Sequence, residues 1–139
     1  MANEITFVAS LKALKNNIGV SQVITSKVQS MESSQEKMHH TVQDIGTGGV
    51  EDLSTGDVDL TKQYLVLLYN RASANYVTVR VRKDVTPTDT DVGIIRPGEP
   101  WGPIRMPAQA GGYPKLLMIS NTAASDVEVT VTEAGDPAL

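Results

Sequence analysis

Few side chains in this 139-residue chain have types and spacing suited to chemistry. His39 and His40 are its two histidines, with Asp44 four residues on. Neighbouring residues of an extended chain point to opposite faces, so these imidazoles do not readily share a metal ion, and a site needs further ligands at suitable spacing. They read as a solvated pair ending a polar loop, "MESSQEKMHH" (31–40). There is no cysteine, which removes thiol nucleophiles, thiolate ligands and disulfides together. A Ser–His–Asp set is recognised by geometry rather than order, and no spacing here favours one. Asp84, Asp89 and Asp91 lie in "DVTPTDTDVG", an oxygen-rich stretch without the ligand order of an EF-hand, and they read as turn-capping residues. "GTGG" (Gly46 to Gly49) lacks the Lys–Ser/Thr that completes a phosphate-binding loop and reads as a turn. The expectation is a protein that is not an enzyme, with no catalytic residues, no cofactor and no metal.

Contact residues are better candidates. Trp101 stands between Pro100 and Pro103. It suits either a cap on one end of the core or an anchor for a partner, since tryptophan buries its ring readily and is enriched at binding hot spots. Arg80, Arg82, Lys83 and Arg105 form a potential basic patch, which reads as a solvated or salt-bridged face or as an acidic contact on a neighbouring subunit. Apolar Ile5, Phe7, Leu11 and Leu14 of the N-terminal segment are the expected intersubunit contacts, with Trp101, Arg80 and Arg82 beside them.

These residues need elements to hold them, and the elements read as β-strands. The first, "ITFVASLKALKNNIG" (Ile5 to Gly19), carries both a helical spacing at Leu11, Leu14 and Ile18 and an alternation at Ile5, Phe7 and Ala9. An extended arm or edge strand is the preferred reading. "VSQVITSKVQS" (Val20 to Ser30) is a half-polar strand. "QYLVLLYN" (Gln63 to Asn70) is apolar at nearly every position, as expected of a central strand covered on both faces. Five polar residues, "RASAN", lead to "YVTVRVR" (Tyr76 to Arg82), where Val77, Val79 and Val81 alternate with Tyr76, Thr78 and Arg80. The pattern recurs: "KLLMIS" (Lys115 to Ser120), "NTAASD", then "VEVTVTE" (Val127 to Glu133). Each pair predicts a hairpin, and two hairpins covering each other's valine faces predict a two-sheet sandwich. Between them, "KDVTPTDTDV" (83–92) reads as a turn region. The three prolines of "GIIRPGEPWGPIRM" (93–106) mark a strand end, an edge or a kinked crossing, because proline donates nothing to a ladder.

Composition agrees. One domain of this length holds a core without staples. Twelve basic and 16 acidic residues give a net charge of −4, which argues against coating nucleic acid. No apolar run approaches the ~20 residues of a membrane span. The start, "MANEITFVAS", shows no secretory pattern. The predicted fold is all-β, a jelly-roll-like β-sandwich of about seven or eight strands with an extended N-terminal arm. Residues 1–30 form the arm and edge strand, 31–133 the core and 134–139 a C-terminal tail.

The order "GDVDLTKQYLVLLYN…ANYVTVRV…IIRPGEPWGPIRM…DVEVTVTE" resembles a loose family of small virion structural proteins of tailed bacteriophages. The resemblance lies in Gly56-Asp57-Val58, Tyr64-Leu65, Asn70, Asn75-Tyr76-Val77, Pro97-Gly98-Glu99 and Val127-Glu128-Val129, and it spans Ile45 to Glu133. It implies a β-sandwich that decorates capsids or builds neck and tail parts. The leading expectation is a decoration, or cement, protein on the capsid surface of a virion assembled in the host cytoplasm. Its partners would be the major capsid protein and itself, as a dimer or trimer, with no nucleic acid and no membrane. A neck, tail or baseplate component or fibre attachment module is the second expectation, and a carbohydrate-binding β-sandwich the third.

Overall fold

The computed structural model describes residues 38–133 in full, together with the backbone of 4–5, 8–15, 18–25 and 29–30. Four short N-terminal strands, β1 (Glu4–Ile5), β2 (Val8–Lys15), β3 (Ile18–Thr25) and β4 (Gln29–Ser30), pair among themselves, β2 with β3 and β1 with β4, both antiparallel. Eight more follow: β5 (Met38–Ile45), β6 (Glu51–Asp52), β7 (Tyr64–Asn70), β8 (Val77–Arg82), β9 (Asp89–Ile95), β10 (Pro100–Met106), β11 (Lys115–Ser120) and β12 (Ser125–Glu133). They build two antiparallel four-stranded sheets, ordered β10-β7-β12-β5 and β6-β11-β8-β9. The partnerships nest: β8 pairs with β9, β7 with β10, β6 with β11 and β5 with β12. The chain is thus one long hairpin rolled on itself, the topology of a jelly roll.

The alternation of β8 and β12 makes the core. Val77, Val79, Val127, Val129 and Val131 are completely buried, and they meet Ile45, Val66, Leu68, Ile95 and Met118 between the sheets. One face of each strand buries β-branched side chains while the other keeps Thr, Arg or Glu, the pattern of a sheet with one dry side.

Several expectations change. The stretches 63–82 and 115–133 are not hairpins. β7 and β12 lie side by side in one sheet and β8 and β11 in the other, so both short loops cross between sheets. Backbone bonds from Arg71 N to Asp126 O and from Asn121 N to Tyr76 O tie the two crossings together. The segment 5–18 is strand where it is described, as the preferred extended reading had it, with Ile5, Leu11 and Leu14 on β1 and β2; Phe7 and 134–139 lie outside the described residues. His39 and His40 belong to β5 rather than a loop, and 89–92 to β9 rather than a turn. β7 is central but not covered on both faces, since Leu67 and Tyr69 are 38% and 39% exposed.

β10 carries the prolines as an edge strand. Its pairing with β7 slips between Trp101 and Ile104, and Gly102 sits there at φ +98°, where a Cβ would come within 2.5 Å of Val66 O. That close approach and left-handed backbone admit only glycine.

Candidate functional site

The two open flanks of the sandwich are closed differently. On one, Trp101 of β10 points inward beside Leu68 and lies against Gly93 of β9, the edge of the opposite sheet. A Cβ on Gly93 would fall 2.3 Å from the indole Nε1, so the glycine makes room for the ring. Trp101 is partly buried and packed on the core, as its core-cap reading requires. On the other flank, β5 reaches across to the segment after β6. The His39 ring bonds Ser54 Oγ at 3.1 Å, while Gln43 donates to Asp52 O at 2.8 Å and accepts from Ser54 N at 3.0 Å.

Of the residues that carried the family resemblance, Asn70, Asn75, Gly98 and Glu99 meet at one end. Asn70, fully buried at the end of β7, donates from Nδ2 to Asn75 O (2.7 Å) and Ile95 O (2.9 Å) and accepts from Ala72 N (3.0 Å). Its backbone N–H donates to Glu99 O and its carbonyl accepts from Gly98 N. Asn75 in turn accepts from Thr122 Oγ1 at 2.7 Å. The Asn70 amide thereby fastens the 71–76 loop to the end of β9, and Asn75 extends the connection to the loop after β11. Their role is to hold the crossings in place.

At the opposite end, a pocket of about 260 Å³ opens between Leu53, Leu60, Tyr64, Gln109 and Lys115. Burial pushes the Tyr64 hydroxyl above its ordinary pKa, with the Gln109 hydrogen bond opposing, so it stays protonated. Lys115 Nζ is committed to Asp52 at 3.3 Å and lies 5.6 Å from the Tyr113 ring centroid. Among the described residues no group of three or more His, Asp or Glu is placed to hold a metal ion.

The outer faces of the sheets differ in chemistry. On the β6-β11-β8-β9 sheet two of the four predicted basic residues, Arg80 and Arg82, are paired within the chain, while Arg105 lies on β10 of the other sheet and donates to Gln63 Oε1 at 2.9 Å. Arg82 grips Asp89 through Nε (2.7 Å) and Nη2 (3.0 Å), and Arg80 Nε meets Asp91 at 2.7 Å. The Arg82 hydrogen bond holds Asp89 below the usual carboxylate range, and Asp89 raises Arg82 reciprocally. A bulge at Val92 sets this up: it shifts the β8–β9 register between Val79 and Arg80, so that Asp91 and Asp89 face the arginines.

On the β10-β7-β12-β5 sheet the outer face is mixed: exposed apolar residues of β5 and β7 stand on either side of the polar outer side of β12. Val42, Glu128 and Tyr69 lie abreast across β5, β12 and β7; His40, Thr130 and Leu67 form the next row, and Met38 stands at the strand end. Met38 and Val42 are 69% and 43% exposed. Sequence reasoning missed this face because a continuous apolar run does not say which of its sides is covered. Of the predicted contacts, Trp101, Arg80 and Arg82 are therefore spread over a flank and the ion-paired face, while Leu11 and Leu14 belong to the β2–β3 ribbon. No protein-family model matches the chain, and no curated protein or solved structure matches it.

Proposed function

We propose that the protein is a decoration, or cement, protein of a tailed-bacteriophage virion, binding across major capsid protein subunits on the outside of the shell. The observation that carries this reading is a division of labour along the chain. A jelly roll exposes Met38, Val42, Leu67 and Tyr69 on one outer sheet face, and the described strands β1 to β4 pair among themselves and belong to neither four-stranded sheet. A ribbon has two edges of main-chain donors and acceptors, and strand addition to a neighbouring subunit uses them without a tailored pocket. Repetition over a symmetric shell turns modest contacts into durable attachment. The clustered motif residues around Asn70 serve the frame, which suits a protein whose work is to be held and to hold.

The test uses particles of the phage that encodes the chain. Counting copies per virion by quantitative mass spectrometry should give hundreds, and shells stripped of the protein should regain heat resistance when it is returned. A count of a dozen or fewer would move the protein to the neck or tail. Failure to bind stripped shells would overturn the reading.

A further inference from the structure

Three of the four edges of the two four-stranded sheets are blunted. β6 is two residues long, β9 is broken by its bulge, and β10 carries Pro100, Pro103 and the slip at Gly102. These are the ordinary devices by which an edge avoids pairing with another chain. β5 has none of them: it runs eight residues, Met38–Ile45, in unbroken register with β12 and without proline. We propose that the edge of β5, unpaired among the described residues, pairs antiparallel with β5 of a second copy, with Val42 on the two-fold axis.

The register follows from charge. A two-fold axis normal to the sheet keeps outward residues opposite outward residues, so only registers two residues apart are open. Centring on Val42 places His40 opposite Asp44 of the second copy and Asp44 opposite His40, with the two Val42 side chains in contact between them. Within one chain Asp44 stands directly across from Asp126, a like-charge pair, and neither carboxylate forms an ion pair among the described residues. Like charges directly opposite are unfavourable in a sheet, and the His40 ring of the second copy, which in its own chain bonds Thr130 Oγ1 at 2.7 Å and lies 3.8 Å from Glu128, brings a ring nitrogen towards them. Centring on Thr41 instead sets Met38 against Asp44, and centring on His40 sets the two imidazoles face to face. The Val42 register is the one that pairs apolar with apolar and base with acid. The result is a continuous eight-stranded sheet, β10-β7-β12-β5 and its mate, whose outer face carries the Met38, Val42, Leu67 and Tyr69 patch twice. The inference rests on the reading above only in taking copies of the chain as partners.

The chain has no cysteine, so single cysteines report the register directly. Sedimentation of the wild-type full-length protein should give twice the 14.9 kDa chain mass. Residues directly opposite across antiparallel strands come within disulfide reach, whereas residues four positions apart do not. Under mild oxidation Val42→Cys should form a covalent dimer, while His40→Cys and Asp44→Cys should not. Asp44→Lys should weaken dimerisation about tenfold and His40→Glu/Asp44→Lys should restore it. A wild-type monomer at high micromolar concentration overturns the proposal whether or not the protein binds shells. So does a dimer in which Val42→Cys fails to cross-link, which would assign the contact to another segment such as the β2–β3 ribbon. Circular dichroism on each variant separates loss of pairing from loss of fold.

Discussion

Glu133 accepts the backbone N–H of Asp59 through Oε1 at 2.9 Å, from a side chain only 2% exposed. The last residue of β12 thus secures the loop that brings the chain from β6 to β7. Its other oxygen, Oε2, is buried without a hydrogen-bond partner among the described residues. Glu133→Ala leaves the Asp59 N–H unmet and opens a void, which should cost about 1–3 kcal/mol in urea denaturation. Glu133→Gln keeps the carbonyl acceptor and should stay within about 1 kcal/mol of wild type. Equal losses for the two variants would show that the bond to Asp59 is not what the side chain supplies.

Trp101 is the only tryptophan in the chain and therefore a direct optical reporter of its flank. Gly93→Ala forces the indole off Gly93, because nothing at 2.3 Å tolerates a methyl group. The expected cost is about 1–3 kcal/mol, with tryptophan emission shifted to the red in the folded state. Unchanged emission and midpoint would mean that the ring has room to spare.

Asn70 ties the 71–76 loop to the end of β9, so its loss should be felt more than its size suggests. Asn70→Leu strands two carbonyls and one N–H in a fully buried place and should cost about 3 kcal/mol. Asn70→Asp sets a carboxylate against the Ile95 and Asn75 carbonyls and should be worse at neutral pH than at about pH 4, where protonation returns a donor. Thermal melts of both variants at the two pH values check the order.

The Arg82–Asp89 pair gives a pH signature. Asp89 is held low, first by the Arg82 hydrogen bond and then by the Arg82, Arg80 and Lys115 charges, against the opposing effect of desolvation. A carboxyl with a depressed folded pKa contributes stability above its unfolded value, about 3.9, and loses it as pH falls through the folded one. Asp89→Asn should therefore lower the melting temperature at pH 7, and the gap to wild type should close on acidification below about pH 4. A gap independent of pH would assign the loss to packing instead.

Strand positions were legible in the sequence because alternation at Val77, Val79 and Val81, and again at Val127, Val129 and Val131, leaves one dry face. Partnership was not. A five-residue loop such as "RASAN" reaches roughly 17 Å when extended, enough either to turn a hairpin or to cross the ~10 Å between packed sheets. The arginine partners were hidden for a related reason. Without the extra residue at Val92, Arg80 and Arg82 would face Val92 and Thr90 rather than Asp91 and Asp89, and a bulge leaves little trace in a short sequence. The exposed apolar residues Leu67 and Tyr69 of β7 became visible only once β7 was seen to pack on one side.

β12 sits between β7 and β5, yet it is the last of the described strands in chain order. During synthesis the sheet that contains it lacks its middle until residue 133 has left the ribosome, so β5 and β7 wait without a neighbour to join them. Such distant closure makes for slow folding and a vulnerable interval in which unpaired strands are open to aggregation. A stop codon anywhere before Ser125 should yield insoluble product rather than a smaller folded piece.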